Sequence, residues 1–115
     1  MHKVEDLKIW KKSIELVKEV YLLTAQLPID EKFGLTSQLK RSAVSISSNI
    51  AEGAGRNTNN EFKHFLGIAN GSAYELQTQL ILAIELNLIS KKHVKPVVDL
   101  CIEIQKMNYA FQKKL

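Results

Sequence analysis

The stretch Phe62-Lys63-His64-Phe65-Leu66-Gly67-Ile68-Ala69-Asn70-Gly71-Ser72-Ala73-Tyr74-Glu75-Leu76-Gln77-Thr78-Gln79-Leu80-Ile81-Leu82-Ala83 decides the fold. Its apolar positions Phe62, Leu66, Ala69, Ala73, Leu76, Leu80 and Ala83 alternate in steps of 4-3-4-3-4-3. That period places them on one side of an α-helix and is incompatible with a strand, whose faces repeat every second residue. The seam is the kind that packs knobs into holes in a helical bundle. Thr58-Asn59-Asn60-Glu61 just before it has capping-box spacing, so the helix is expected to start there and run to about Leu86.

The same period recurs outward in both directions. Upstream, Leu35, Leu39, Ala43, Ile46 and Ile50 predict a helix from Leu35-Thr36 to about Ala54, stopped by Gly53-Ala54-Gly55. This helix is rich in small residues (Ser42, Ser45, Ser47, Ser48, Ala51), which lets a neighbour approach closely. Before it, a helix from about Glu5 to Gln26 carries two stripes. The first is Leu7, Trp10, Ile14, Val17, Tyr21 and Thr24; beside it lie Leu16, Val20, Leu23 and Leu27. The first is read as the bundle stripe and the second as a surplus apolar face. Leu27-Pro28 ends the helix, because the residue before proline avoids the α region. Downstream, Ser90 is a good N-cap for a last helix with the stripe Val97, Cys101, Ile104, Asn108, Phe111 and Leu115. Pro96 falls in its opening turns and predicts a kink there or a start nearer Lys95. The connections are short, so successive helices are expected to pack antiparallel. The expectation is an all-α, up-down four-helix bundle, with residues 1–115 forming one domain.

Composition bounds the function. In 115 residues, 45% are hydrophobic, enough for a core without metals or disulfides. The single cysteine, Cys101, allows no internal disulfide, which fits a reducing cytoplasmic setting. The start Met1-His2-Lys3-Val4-Glu5-Asp6 has no signal-peptide character, and the longest apolar runs, such as Leu80 to Ile84, are far too short for a membrane span. A net charge of +4 is mildly basic and equally fits a solvated helical surface.

Enzymatic and metal readings find little. Glu61-Phe62-Lys63-His64 has the Glu-x-x-His spacing of di-iron bundles, but that site needs a second copy and two more inward carboxylates, and the chain has no second copy. His2 and His93 read as solvent-facing groups. Cys101 on the last stripe reads as a buried structural thiol. Gly53-Ala54-Gly55-Arg56 follows a helix, not a strand, and reads as a cap, not a phosphate loop. No catalytic residue, metal or cofactor is expected.

Two features suggest binding. Gln38, Ser45, Asn49, Glu52 and Arg56 share a polar face by heptad spacing, and Ser72, Glu75 and Gln79 form a similar short stripe on the next helix. They read either as ordinary solvated surface or as a hydrogen-bonded seam between subunits, with Gln38, Ser45, Asn49, Glu52, Ser72 and Gln79 as interface candidates. Lys8, Lys11, Lys12 and Lys18, with Lys40, Arg41 and Arg56, are candidates for binding nucleic acid. Such binding is expected to be directed at the backbone, because few aromatics are expected at the surface. The competing expectation is a protein-interaction scaffold that touches no nucleic acid.

The run from Phe33 to Gly53, above all Ser48-Asn49-Ile50-Ala51-Glu52-Gly53, closely resembles the signature of four-helix-bundle proteins encoded by intervening sequences of bacterial 23S ribosomal RNA genes. Phe65 to Ser72 followed by Glu75 to Leu80 resembles a second block of that family, and Leu7 with Trp10 an N-terminal one. The family is similar to the accessory variability determinant of diversity-generating retroelements. The resemblance implies a homopentameric ring of bundles. In the retroelement branch it also implies binding to a reverse transcriptase and to RNA or DNA.

Overall fold

The computed structural model describes residues 2–115. Among them there is no strand; the chain is carried by α1 (Lys8–Thr24), α2 (Leu35–Ala54), α3 (Asn59–Glu85) and α4 (Lys91–Lys114). Short 3-10 helices, Val4–Asp6 and Ile29–Glu31, lie on either side of α1. Each helix packs on its neighbours in sequence, and α1 closes the ring against α4. The longest dimension, 43 Å, is little more than the length of α3.

All seven seam residues of α3 are at most 1% exposed. All of them but Ala83 meet Leu39, Ala43, Ile46 and Ile50 of α2, and Val94, Val97, Cys101 and Ile104 of α4, in one core. Burial on this scale is the main force holding the helices together. The start of α3 is capped as its sequence predicts: the Glu61 N–H donates to Thr58 Oγ1 at 3.1 Å, and that hydroxyl donates to Glu61 Oε1 at 3.0 Å. Its end is closed by Asn87, the one non-glycine residue with positive φ among those described (58°). Leu88 N–H reaches back to the Ala83 carbonyl and Asn87 N–H to that of Ile84, the paired bonds of a Schellman motif. Asparagine tolerates the left-handed region better than most residues do.

The first helix differs from its expectation at both ends and in its buried face. Leu7 is extended (φ −82°, ψ 120°), which separates Val4–Asp6 from α1. The helix stops at Thr24, before the proline forces it to. Its buried stripe is Ile9, Ser13, Leu16, Val20 and Leu23, continued by Leu27. The stripe expected to lead is the flanking one: Leu7, Trp10, Ile14 and Val17 are half-buried and Tyr21 is exposed, with only Thr24 in the interior.

The fourth helix does not wait for Lys95 to start. It begins at Lys91 and contains Pro96. The carbonyl that the proline leaves without its helical donor belongs to Lys92, an exposed residue, so water can take that place. Ser90 makes no side-chain bond to the helix backbone; its hydroxyl lies 2.6 Å from His93 Nδ1. At the far end of the bundle His2 is exposed, and its ring also rests against two aromatic side chains. The ring meets Phe62 edge-on at 5.0 Å and Phe111 at 6.2 Å, while the His2 backbone N–H donates to the Ala54 carbonyl at 3.0 Å. Among the described residues no helix is long and apolar enough to cross a membrane.

Candidate nucleic-acid interface

The seven basic candidates divide by what they already touch. Lys12 Nζ lies 3.8 Å from Glu15 and 3.7 Å from Glu103, so its charge is shared between α1 and α4. Arg56 donates to Glu52 Oε1 at 2.7 Å and lies 4.7 Å over the Phe65 ring. Lys40 sits 4.7 Å over the Tyr21 ring, a cation–π contact that ties α2 to α1. Among the described residues, Lys8, Lys11, Lys18 and Arg41 make no ion pair and are exposed. Lys8, Lys11 and Lys18 fall within about 80° of arc on α1 at 3.6 residues per turn. They point away from the core stripe; Glu15 falls inside their arc, between Lys11 and Lys8, and Glu19 just beyond its edge. Arg41 is exposed on α2, apart from them.

One cation joins this stripe that the sequence spacing did not suggest. Lys114 lines the same surface hollow as Lys8, together with Asp6, Leu7, Met107 and Phe111. The last turn of α4 is brought beside the first turn of α1 by packing alone. The only sequence signal was the basic pair Lys113-Lys114 at a helix C-terminus, where cations also complement the helix dipole.

The polar stripes meet each other inside the chain. The Ser42 hydroxyl, 1% exposed, lies 2.9 Å from Glu75 Oε1 and 3.0 Å from Gln79 Oε1. Ser45 and Ser72 hydroxyls are 2.9 Å apart. Asn49 Nδ2 donates to the Ser45 carbonyl at 2.8 Å and to its hydroxyl at 3.1 Å. Ser45, Asn49, Ser72 and Gln79 therefore find their partners in the α2–α3 seam, while Gln38 and Glu52 stay exposed on the outer side of α2. The small serines do what small side chains permit: the two helices come close enough for side chains this short to bond directly.

Aromatic rings are more available than the sequence suggests. Tyr21, Tyr74 and Tyr109 are exposed, as is Phe33 in the α1–α2 connection. The lone thiol is placed against chemistry: Cys101 is wholly buried, its Sγ 3.1 Å from the Ala73 carbonyl. Burial pushes its pKa from 9.0 up to about 11, only partly offset by the Gln105 amide. Among the described residues no three His, Cys, Asp or Glu side chains come together as a metal site would require.

Comparison with known proteins places this geometry. The model of a family described as 23S rRNA-intervening sequence protein matches residues 5–110. No curated protein matches the chain. Among solved structures, the chain is similar to a protein of unknown function from the S23 ribosomal protein family of Bacteroides thetaiotaomicron. The two are 27% identical and superpose with a TM-score of 0.85 over 91% of this chain and 98% of that one. With four helices in this arrangement and the family model spanning nearly its whole length, the chain belongs to the 23S rRNA-intervening sequence protein family.

Proposed function

We propose that the chain is a non-enzymatic binding module that associates with nucleic acid through the outer face of α1. The observation that carries this is the set Lys8, Lys11 and Lys18: three cations on one arc that make no ion pair among the described residues, beside Lys114 from α4. A charge that is not neutralised within the protein is available to displace counterions from phosphates. The deep burial and raised pKa of Cys101 support the non-enzymatic part, since a nucleophilic thiol needs exposure and a lowered pKa.

The proposal includes an architecture. Residues 1–115 act as one domain, with the helices running up and down, antiparallel to their neighbours. The contact register supports this: Ser42 meets Glu75 while Ser45 meets Ser72, and Leu66 meets Asn108 while Ala73 meets Cys101. The domain works in the cytoplasm as a homo-oligomer, the pentameric ring that the family resemblance implies. The copy-to-copy contact would run along the outer edge of the α2–α3 seam. Gln38 and Glu52 reach outward there, and the bonded groups of Ser45, Asn49, Ser72 and Gln79 hold the two helices that present them. In a ring the α1 stripe repeats, and a modest charge per copy becomes a substantial field. If the chain acts beside a reverse transcriptase, as the likeness to the accessory variability determinant implies, the same stripe would face the shared nucleic acid.

Filter binding of RNA and of DNA at low and at moderate salt tests the reading. Retention at low salt that falls steeply as salt rises is the expected result. No retention of either polymer at low salt would remove the proposal.

A further inference from the structure

The flank between α3 and α4 carries a second basic surface of a different chemical kind. Tyr74 on α3 and Tyr109 on α4 are 56% and 62% exposed. They line one open hollow of about 380 Å³ together with Asn70, Ile102 and Lys106. Lys113 lies 4.4 Å over the Tyr109 ring, and Lys106 precedes that tyrosine by one helical turn. No carboxylate lines the hollow.

One further observation points outward from the same flank. Gly67 and Gly71 precede Tyr74 by two turns and one, in the interior of α3, where glycine is a poor helix former. A Cβ built on either would meet nothing within 4 Å, so packing inside the chain does not require glycine there. Both leave bare backbone beside the tyrosine.

We propose that this groove binds single-stranded nucleic acid by base stacking. Unpaired bases lie on the Tyr74 and Tyr109 rings, and their phosphates are met by Lys106 and Lys113. Exposed aromatic faces between cations are the usual means of holding unpaired strands, because every base offers a π-face. The inference rests on the nucleic-acid reading above but names a separate surface and a separate substrate. The α1 lysines address phosphates of any duplex or strand, whereas the tyrosine groove requires bases that are free to unstack.

The test is fluorescence anisotropy at low salt with three labelled probes of equal length: an unstructured single-stranded RNA, the same strand made abasic, and a duplex. The Tyr74→Ala/Tyr109→Ala double variant, folded by circular dichroism, is expected to lose about tenfold or more of its affinity for the intact single strand. Its affinity for the duplex and the abasic strand should match wild type. Tyr74→Phe/Tyr109→Phe, which keeps both rings, should bind the intact strand as wild type does. If the alanine variant holds the intact strand as tightly as wild type while wild type still binds duplex, the groove proposal is overturned and the α1 reading stands. If wild type binds none of the probes, both fall together. A drop in particle mass of the alanine variant by light scattering would show that a second copy covers the groove, and that too overturns the proposal.

Discussion

Gly53, at the end of α2, lies directly against Phe62, at the start of α3: a Cβ on Gly53 would fall 2.8 Å from Phe62 Cδ1 and 2.9 Å from Phe65 Cβ. The Phe62 carbonyl oxygen would be 3.2 Å away. None of these atoms is the loose end of a flexible side chain. Gly53→Ala should therefore destabilise the fold, since overpacking costs about 1–3 kcal/mol and outweighs the gain of up to about 1 kcal/mol in helix propensity. Gly67→Ala and Gly71→Ala should each stabilise by about 0.5–1 kcal/mol, because an added Cβ there meets open space. Urea denaturation of the three variants checks the opposite signs. A neutral Gly53→Ala would mean the two helices are not that close.

How far the sequence reached can be judged residue by residue. The α3 seam was legible because its seven apolar positions admit one helical face and no other. The α1 face was not, because apolar residues cover about half the helix. Which stripe is buried depends on where α2 and α4 stand, and no local pattern records that. Pro96 misled for a related reason: its cost depends on whether the Lys92 carbonyl can reach water, which is a fact of tertiary placement. At the candidate site the lysines were legible as cations but their partners were not. Lys12 finds Glu103 on another helix, and Lys114 reaches the α1 stripe only because α4 packs against α1. The polar stripes were legible only as solvated surface or as a seam between subunits, and the structure brings Ser42 and Ser45 to Ser72, Glu75 and Gln79 within one chain. Exposure of Tyr74 and Tyr109 was missed because tyrosine beside a bundle core suggests burial.

Cys101 should report folding through its titration. Its thiol keeps its proton to about pH 11 in the folded state and loses it near 9.0 when unfolded, burial being the main cause. Below pH 9 both states are protonated and the thiol leaves stability unchanged. Between these values the unfolded chain binds fewer protons, so stability falls as pH rises, by about 1.4 kcal/mol per pH unit at most. Cys101→Ala should remove that slope. Ellman's reagent at pH 8 should react with the native protein only at the rate of unfolding. Rapid, complete labelling under native conditions would show that the thiol is not enclosed.

Asn108 is 1% exposed, donates from Nδ2 to the Leu66 carbonyl at 2.9 Å, and accepts from Gln112 Nε2 at 2.6 Å. Asn108→Ala loses the bond between α4 and α3 and leaves a void, so a cost of about 1–3 kcal/mol is expected. Asn108→Leu should cost less. The Leu66 carbonyl lies inside α3 and keeps its helical donor, Gln112 is half-buried and can turn to water, and the added methyl groups fill the space. Thermal or urea unfolding of the pair decides. A leucine variant less stable than the alanine one would mean the site has no room for an apolar side chain and is held by its polar bonds.

The lysines on α1 make the sharpest functional contrast, because neighbouring residues with the same charge should behave differently. Lys8, Lys11 and Lys18 have no ion-pair partner, whereas Lys12 is held between Glu15 and Glu103. A lysine that already shares its charge with two carboxylates releases few counterions on meeting a phosphate. Each free lysine that does meet one adds about 1 to the slope of log affinity against log salt. Lys8→Gln, Lys11→Gln and Lys18→Gln should each weaken binding to duplex and single strand alike and lower that slope by about 1. Lys12→Gln should leave the slope near wild type. Its effect on stability should be small as well, since exposed and half-exposed ion pairs contribute only about 0–1 kcal/mol. Anisotropy titrations across a salt series measure all four slopes. If Lys12→Gln lowers the slope as much as Lys11→Gln does, then ion pairing within the chain does not decide which cations are available. The face of α1 would then act only as a diffuse positive surface, and the distinction between free and committed lysines would carry no function.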